Sequence, residues 1–583
     1  MTLLAELKRR KVFKVGAAYL VAGWLLIQVA ATVAPQLNLP EWAPRLITLV
    51  ILLGFPVAIL LAWAVDLSAD GIRIESAPLG NKRVVAAVVI LLLLAVGWYW
   101  KGRHTAAVDG VDARSIAVLP FVNMSGDKDN EYFSDGISEE ILNVLARTPA
   151  LRVAARTSSF SFKGKSTEVP AIAHELNVRM VLEGSVRKQG ERVRITAQLI
   201  DASNGYHVWS QTYDRELKDI FAIQDEIANA IANELNVKLN AAVGGARLPD
   251  TNNLKAYDHY LKGIGLWQAR GDKNLHDAIT NFRAALALDP NYAKAWAGLA
   301  ITYAVIPEWS AEPIEQTNPA ARDAAEHALA LDPNLPEPYT ALGYVASNEF
   351  RYPTARAMFR RSIELAPSYA TGHQWSGETL ASEGDQQAAL LMLRKAAVLD
   401  PKSAIVGSVL AGYLITAGHD DEGLALCDSI VGVVRDWCPL LHFDVAMARN
   451  DFATARSVLQ PAAAARGPEA LRLFNAQMDA VDGKGDVDAL ARQLLELPDG
   501  QMDAASLTPL NTGDAMLWFM AVGRSDLASE RFARYARLVP YGARSFAYDA
   551  HYAKLHCEAK FIEVLRTLKV EEPHLAAACP KAH

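Results

Sequence analysis

The feature that most constrains this chain is its proline punctuation. Asp289-Pro290, Asp332-Pro333, Ala366-Pro367 and Asp400-Pro401 recur along one stretch, and the last two intervals are each 34 residues long. Between the marks, apolar and small residues sit at helical spacing. One interval holds Tyr339, Leu342, Gly343, Ala346, Ala355, Phe359 and Ser362; the next holds Gly377, Leu380, Gly384, Ala389, Leu393 and Ala396. A unit of this length holds two helices, and one such hairpin cannot bury its apolar face alone, so units must stack. The interval ending at Pro333 contains Trp296, Leu299 and Tyr303 but runs to 43 residues. About nine residues around Pro307 to Pro319 are thus inserted, expected as a loop between its two helices. Weaker copies keep the phase: Gly418 with Cys427, Ala446 with Ala455 and Leu459, Gly485 with Leu490 and Leu494, and Gly523 with Ala528, Phe532 and Tyr535. About eight hairpins are expected over residues 254–540, with 541–583 as a cap and tail.

The other end of the chain has a different character. Residues 1–14 carry Lys8, Arg9, Arg10, Lys11 and Lys14, after which residues 15–34 contain no Asp, Glu, Lys, Arg or His. Residues 46–65 and 84–100 are two more such runs, the last ending in Trp98, Tyr99 and Trp100. About 20 apolar residues in a helix cross a hydrocarbon core of about 30 Å, so three transmembrane α-helices are expected. Lys and Arg near the span ends resist translocation. Residues 1–14 and the 66–82 loop with its flank (Arg73, Lys82, Arg83) outweigh Arg45, Lys101 and Arg103. This predicts a basic cytoplasmic tail (1–14), a three-span module (15–100), a linker (101–113) and residues 101–583 in the periplasm of a bacterial inner membrane. A signal peptide cleaved near Ala31 to Ala34 is the competing reading of the first run and leaves the outer placement unchanged.

At 583 residues the chain is too long for one core. A net charge of −7 and a pI near 6.0 provide no basic field, so nucleic acid is not expected as a partner. The four cysteines exclude a disulfide-built scaffold and fall into two pairs, Cys427 with Cys438 and Cys557 with Cys579.

Residues 114–240 alternate strand and helix signals. Residues 115–121 read as a strand, 123–130 as a turn-rich loop, and 135–145 as a helix capped by Asp135 with Glu139 and Glu140 towards its positive end. Residues 151–162 read as a strand with a Ser/Thr-rich edge, and 169–176 as a helix. Residues 180–186 and 193–201 pair as a hairpin; in the second strand Val193, Ile195, Ala197 and Leu199 alternate with Arg194, Thr196 and Gln198. Asn204-Gly205 turns the chain into 207–213, and 220–235 closes a small α/β domain as an amphipathic helix. Two motifs here carry no chemistry. Gly164-Lys165-Ser166 lacks the upstream glycine of a phosphate loop, since position 159 is Ser159, and Asp127, Asp129, Glu131 and Asp135 lack the ligand order of a calcium loop.

The runs IAVLPFVNMSGD and EYFSDGISEEI, then LRVAARTSSFSFKGK, VLEGSVRKQGERVRITAQLIDASNGYHVWSQTYDR and IFAIQDEIANAIANEL, resemble the TolB amino-terminal-like (FlgO-like) domain of bacterial envelope proteins over about residues 112–240. The 34-residue units likewise resemble tetratricopeptide repeats, and the opening ELKRRKVFKVGAAYLVAGWLLIQVA resembles the membrane module of proteobacterial tetratricopeptide proteins. In chains of this type the TolB-like domain lies between a membrane helix and the repeats. A class III nucleotide cyclase or a winged-helix DNA-binding domain stands ahead of the membrane segment there; neither is expected here.

A tetratricopeptide superhelix presents its first helices along a concave groove, which suits an extended peptide or a partner helix. The inward positions are expected to be Tyr344, Asn348, Gln374 and Glu378. The register puts Cys427 in the second helix of one unit and Cys438 near the start of the next, close enough for a disulfide in an oxidising compartment, the alternative being buried thiols. His551, His556 and Cys557, with Cys579 and His583, match no standard zinc spacing and are expected in the cap. No nucleophile with a base, acid–base pair or metal cluster is evident, so no enzyme activity, cofactor or metal is expected. The resulting expectation is a non-catalytic, inner-membrane-anchored scaffold whose α/β domain and repeats bind protein partners. The alternative is a signalling or regulatory subunit acting through a separate cytoplasmic effector.

Overall fold

The structure is a computed structural model. It describes residues 112–127, 131–216, 219–235, 251, 253–310, 312–430, 437–496, 512–538 and 540–571, with 19, 21–24, 26, 28, 66–68 and 71–73. The chain divides into two compact units, Met1–Ala107 and Val108–His583.

In the first unit the structure corrects the expectation of three transmembrane helices. Among the described residues no helix is long and apolar enough to cross a membrane. Of the first expected span the helical positions 19, 21–24, 26 and 28 are described. Residues 46–65 and 84–100 lie outside the described residues. The three-span fold, and with it the inner-membrane and periplasmic placement, is therefore not carried forward. The expected 66–82 connector holds a strand pair, β1 (Asp66–Ser68) antiparallel to β2 (Gly71–Arg73).

The second unit begins with a six-stranded mixed sheet. Strand β3 (Ser115–Val118) lies between β5 (Arg152–Val153) and β6 (Met180–Gln189), parallel to both, and β4 (Val122–Asn123) runs parallel to the far half of β6. Strands β7 (Arg192–Asp201) and β8 (Tyr206–Glu216) extend it antiparallel. The period of two in β7 does what alternation requires: Val193, Ile195, Ala197 and Leu199 are all buried. Helices α1 (Glu131–Ala146), α2 (Arg156–Phe160), α3 (Val169–Leu176) and α4 (Ile220–Glu234) accompany the sheet.

Two local expectations are corrected here. Helix α1 starts at Glu131, so Asp135 lies inside it and pairs with Lys163 rather than capping it. The strand expected over 151–162 stops at Val153 and becomes α2, because the Ser158 amide and hydroxyl leave the sheet for Asp400 in the repeats.

Among the described residues eight helical hairpins follow. They are α5 (Leu254–Ala269) with α6 (Asp272–Leu288), α7 (Ala293–Val305) with α8 (Ile314–Leu331), α9 (Pro336–Asn348) with α10 (Tyr352–Leu365), and α11 (Ala370–Glu383) with α12 (Gln386–Leu399). Then come α13 (Ala404–Thr416) with α14 (Asp420–Ser429), α15 (Trp437–Ala448) with α16 (Phe452–Ala465), α17 (Pro468–Val481) with α18 (Val487–Glu496), and α19 (Thr512–Ala521) with α20 (Ser525–Leu538). Helix α21 (Pro540–Ser545), two 3-10 turns and α22 (Ala559–Thr567) end the described chain. Small residues allow the close packing: a Cβ on Gly263 or Gly298 would run into the Phe282 ring, and one on Gly343 into Phe359. The inserted residues of the second hairpin are more than a loop. They form a 3-10 turn, Ile306–Glu308, and lengthen α8, which carries Pro319 inside it.

First helices of neighbouring hairpins pack on one another, α5 on α7, α7 on α9 and α9 on α11, which puts them on the inside of the curve. The sheet's β5 edge is covered by the array: the Val153 amide donates to Ser368 Oγ at 3.1 Å and the Ala155 amide to the Leu399 carbonyl at 2.8 Å.

Candidate functional site

Two polar regions stand out in the second unit. The first is the joint between the α/β domain and the repeats. Helix α1 lies on α5, where Gly136 meets Leu261 with no room for a side chain. Beside this contact Glu140 and Lys294, both almost fully buried, form an ion pair. Gln268 Nε2 donates to Glu139 Oε1 at 2.9 Å, and Arg156 approaches Glu139 Oε2 at 2.8 Å. Burial raises the Glu139 carboxyl despite that arginine. Further along, Asp400 Oδ1 accepts from the Ser158 amide at 3.0 Å and its hydroxyl at 2.6 Å, while the Lys402 amide donates to Ser158 Oγ at 2.8 Å. Burial pushes the Asp400 carboxyl up to about 6, and these donors hold it back from rising further. A cleft of about 350 Å³ opens between α1 and α5, but its charged walls are already matched: Asp135 with Lys163, Glu139 with Arg156, Lys262 with Asp258.

The second region is the inner wall of the repeats. The Tyr344 hydroxyl donates to Glu308, Gln374 Nε2 donates to Glu378 Oε1 at 2.8 Å, and the Tyr344 and Trp375 ring centroids are 4.5 Å apart. Arg270, at positive φ just past α5, lies over Trp267 at 3.8 Å from the ring centroid and donates to the Trp267 carbonyl. Glu308 is exposed to solvent, with the mass of the array crowded around it. That crowding, together with the Glu378 charge, pushes its carboxyl up to about 8; Glu378 is pushed up to about 7, chiefly by burial. Arg270 opposes both shifts, and burial draws its own guanidinium down to about 10. Burial, then the Glu308 charge, push Tyr535 of the eighth hairpin up to about 12.

Of the four groove residues named from sequence, Tyr344, Gln374 and Glu378 come together on this wall. Asn348 lies one turn beyond Tyr344, buried, with its Nδ2 towards Asn318 Oδ1 at 3.4 Å. Arg270 and Glu308 were missed because both lie just past the end of a first helix, outside the repeat pattern. The available signal was a charged residue in that place in two adjacent hairpins. Cys427 and Cys438 are joined in a disulfide, with Cα atoms 5.5 Å apart. His551 pairs with Asp549 and Asp420, His556 is buried beside Phe561, and Cys557 is disulfide-bonded.

Comparison with known proteins adds context to this geometry. Residues 112–230 match the family described as HilA/YgeH-like transcriptional regulator, second domain. "Putative adenylate cyclase 3" of Rhizobium meliloti is 40% identical over 237 residues, 40% of this chain and 40% of that protein. Transcriptional regulator HilA of Salmonella typhimurium is 19% identical over 324 residues, 54% of this chain and 56% of that protein. The chain thus spans about two fifths and about half the length of these curated relatives. Among solved structures, PilF of Pseudomonas aeruginosa is 20% identical, with 35% of this chain and 89% of that chain covered at a TM-score of 0.27. PilW, a widely conserved type IV pilus biogenesis factor, is 19% identical, with 36% and 94% covered at a TM-score of 0.29. At such TM-scores the likeness decides nothing, and the hairpins are read from the helices themselves.

Proposed function

We propose that this protein is a non-catalytic scaffold whose repeat array binds a protein partner along its inner wall, with a TolB amino-terminal-like α/β domain held rigidly at the side of that array. One observation carries the reading: the chain's own α1 already lies on the first helix of the first hairpin, with Gly136 on Leu261 and Glu140 on Lys294. This is how an amphipathic helix docks on a repeat surface. Beyond α1 the wall remains polar and aromatic, with Glu308 open to solvent. A photo-crosslinking side chain in place of Tyr413 of α13, which feels the Glu378 and Glu308 charges, compared with one at exposed Leu391 on α12, tests this in cells. A recurrent crosslinked peptide from 413 alone is expected; equal labelling from both positions sinks the reading.

A second reading is a regulatory subunit acting through a separate effector. The 40% identity over 237 residues with a protein named as a putative adenylate cyclase, and the match of residues 112–230 to a transcriptional-regulator domain, favour it. Cyclic-nucleotide levels and transcript profiles of cells with and without this chain would distinguish it. No change in either removes the regulatory reading.

A further inference from the structure

The inner wall has an unbalanced charge pattern. Among the described residues neither Glu308 nor Glu378 forms an ion pair; Glu308 is met by the Tyr344 hydroxyl and Glu378 by the Gln374 amide. Arg270 is the cation whose charge reaches both, and its guanidinium is held on the Trp267 ring and carbonyl rather than on either carboxylate. Two carboxylates thus share one guanidinium that pairs with neither of them. A proton is the counter-charge available within the chain, consistent with both acids titrating near neutrality.

An independent observation points the same way. Tyr344 and Asn348 are four residues apart on α9 and share a face. Asn348 is buried, 4% exposed, and its Oδ1 has no hydrogen-bond donor. A buried acceptor left open costs free energy unless a donor arrives. The two carboxylates are acceptors, as is the Asn348 oxygen one turn along α9, and the Tyr344 and Trp375 rings on the wall suit a cation's alkyl stem. The acidic character continues towards the later hairpins, where burial and then Asp514 raise the Asp444 carboxyl.

We propose that this wall takes a basic segment of a partner protein, with a lysine or arginine side chain entering between Glu308 and Glu378 and donating to them. The proposal presupposes that the array binds peptides, and it names the chemistry of the peptide. A bound cation would stabilise both carboxylates in ionised form, so binding should release protons and tighten as pH rises from 6 to 8.5. The groups facing the pair are Arg270 on α5's end, Tyr344 on α9, Tyr413 on α13 and Tyr535 on α20, whose phenols are held above their ordinary range where they shift.

The test is fluorescence anisotropy on the full chain with labelled twelve-residue peptides that alternate alanine with lysine, glutamate or serine. The lysine peptide is expected to bind about tenfold or more tightly than the others, weakening with salt. Glu308→Gln and Glu378→Gln should each weaken it about three- to tenfold, and the pair together should remove the pH dependence. Far-UV circular dichroism on the same samples shows whether the variants stay folded. If the glutamate or serine peptide binds as well, or the two variants bind the lysine peptide like the parent, this inference falls while the scaffold reading stands. If no peptide binds and position 413 yields no crosslink, both fall.

Discussion

The joint and the inner wall are built from the same materials, carboxylates enclosed by helices, yet they treat charge in opposite ways. At the joint each carboxylate is answered within the chain: Glu140 by Lys294, Glu139 by Arg156 and Gln268, Asp400 by the Ser158 amide and hydroxyl. On the wall Glu308 and Glu378 have a phenol and an amide but no ion pair. An internally satisfied polar network rigidifies; an unsatisfied one is a place where a ligand gains free energy. On the function proposed above, the joint is structural and the wall is the working surface.

The largest effect is expected from breaking the joint's buried pair. Lys294→Ala leaves Glu140 enclosed without its cation and should cost about 3–5 kcal/mol, whereas replacing both residues by methionine should cost far less. Denaturant midpoints of the three proteins check this, and equal losses for the single and double variants would contradict the pairing. Next is Gly136→Val, which drives a side chain into Leu261 and should cost about 1–3 kcal/mol by overpacking. Hydrogen exchange should then quicken in α1 and α5 while the later hairpins stay protected; uniform quickening would mean the joint is not a separate unit.

The wall should answer in the opposite direction. Glu308 and Glu378 titrate at about 8 and about 7 in the fold, above their unfolded values. Their contribution to stability is therefore complete below the unfolded pKa and is lost as pH rises through about 7 to 8. Melting temperature should fall between pH 5 and 8.5, and Glu378→Gln should flatten that fall and raise stability at pH 8.5, by less than either joint variant lowers it. A flat profile in the parent would remove the contrast. The smallest effect is expected at Asp400, raised to about 6, whose contribution is lost as pH rises from about 4 through 6. Asp400→Asn should abolish that shallow slope, measurable in the same melting series.

Much of the fold was legible where spacing is the cause. The 34-residue marks located the hairpins because each one packs mainly on its neighbours. The alternation in β7 and the Asn204-Gly205 turn located the β7–β8 pair. Legibility failed where a distant partner overrode local preference. Residues 151–162 read as a strand, but Ser158 bends away to Asp400, 242 positions on. The apolar runs at the start read as membrane spans by length and composition, yet no described helix is long and apolar enough to cross one. Register alone expects Tyr344 with Asn348, and Gln374 with Glu378, on one helix face each, because side chains four apart share a face.

Sequence by itself determined the repeated hairpin and the alternating sheet, since these follow from local periodicity and residue type. Tertiary structure alone decided which charges meet. Glu140 reaches Lys294, and Glu308 faces Glu378 and Arg270, only because stacking curves the hairpins and brings residues separated by tens to hundreds of positions onto one wall. Periodicity says that a helix has an inner face; it does not say which acid on that face is left without an ion pair.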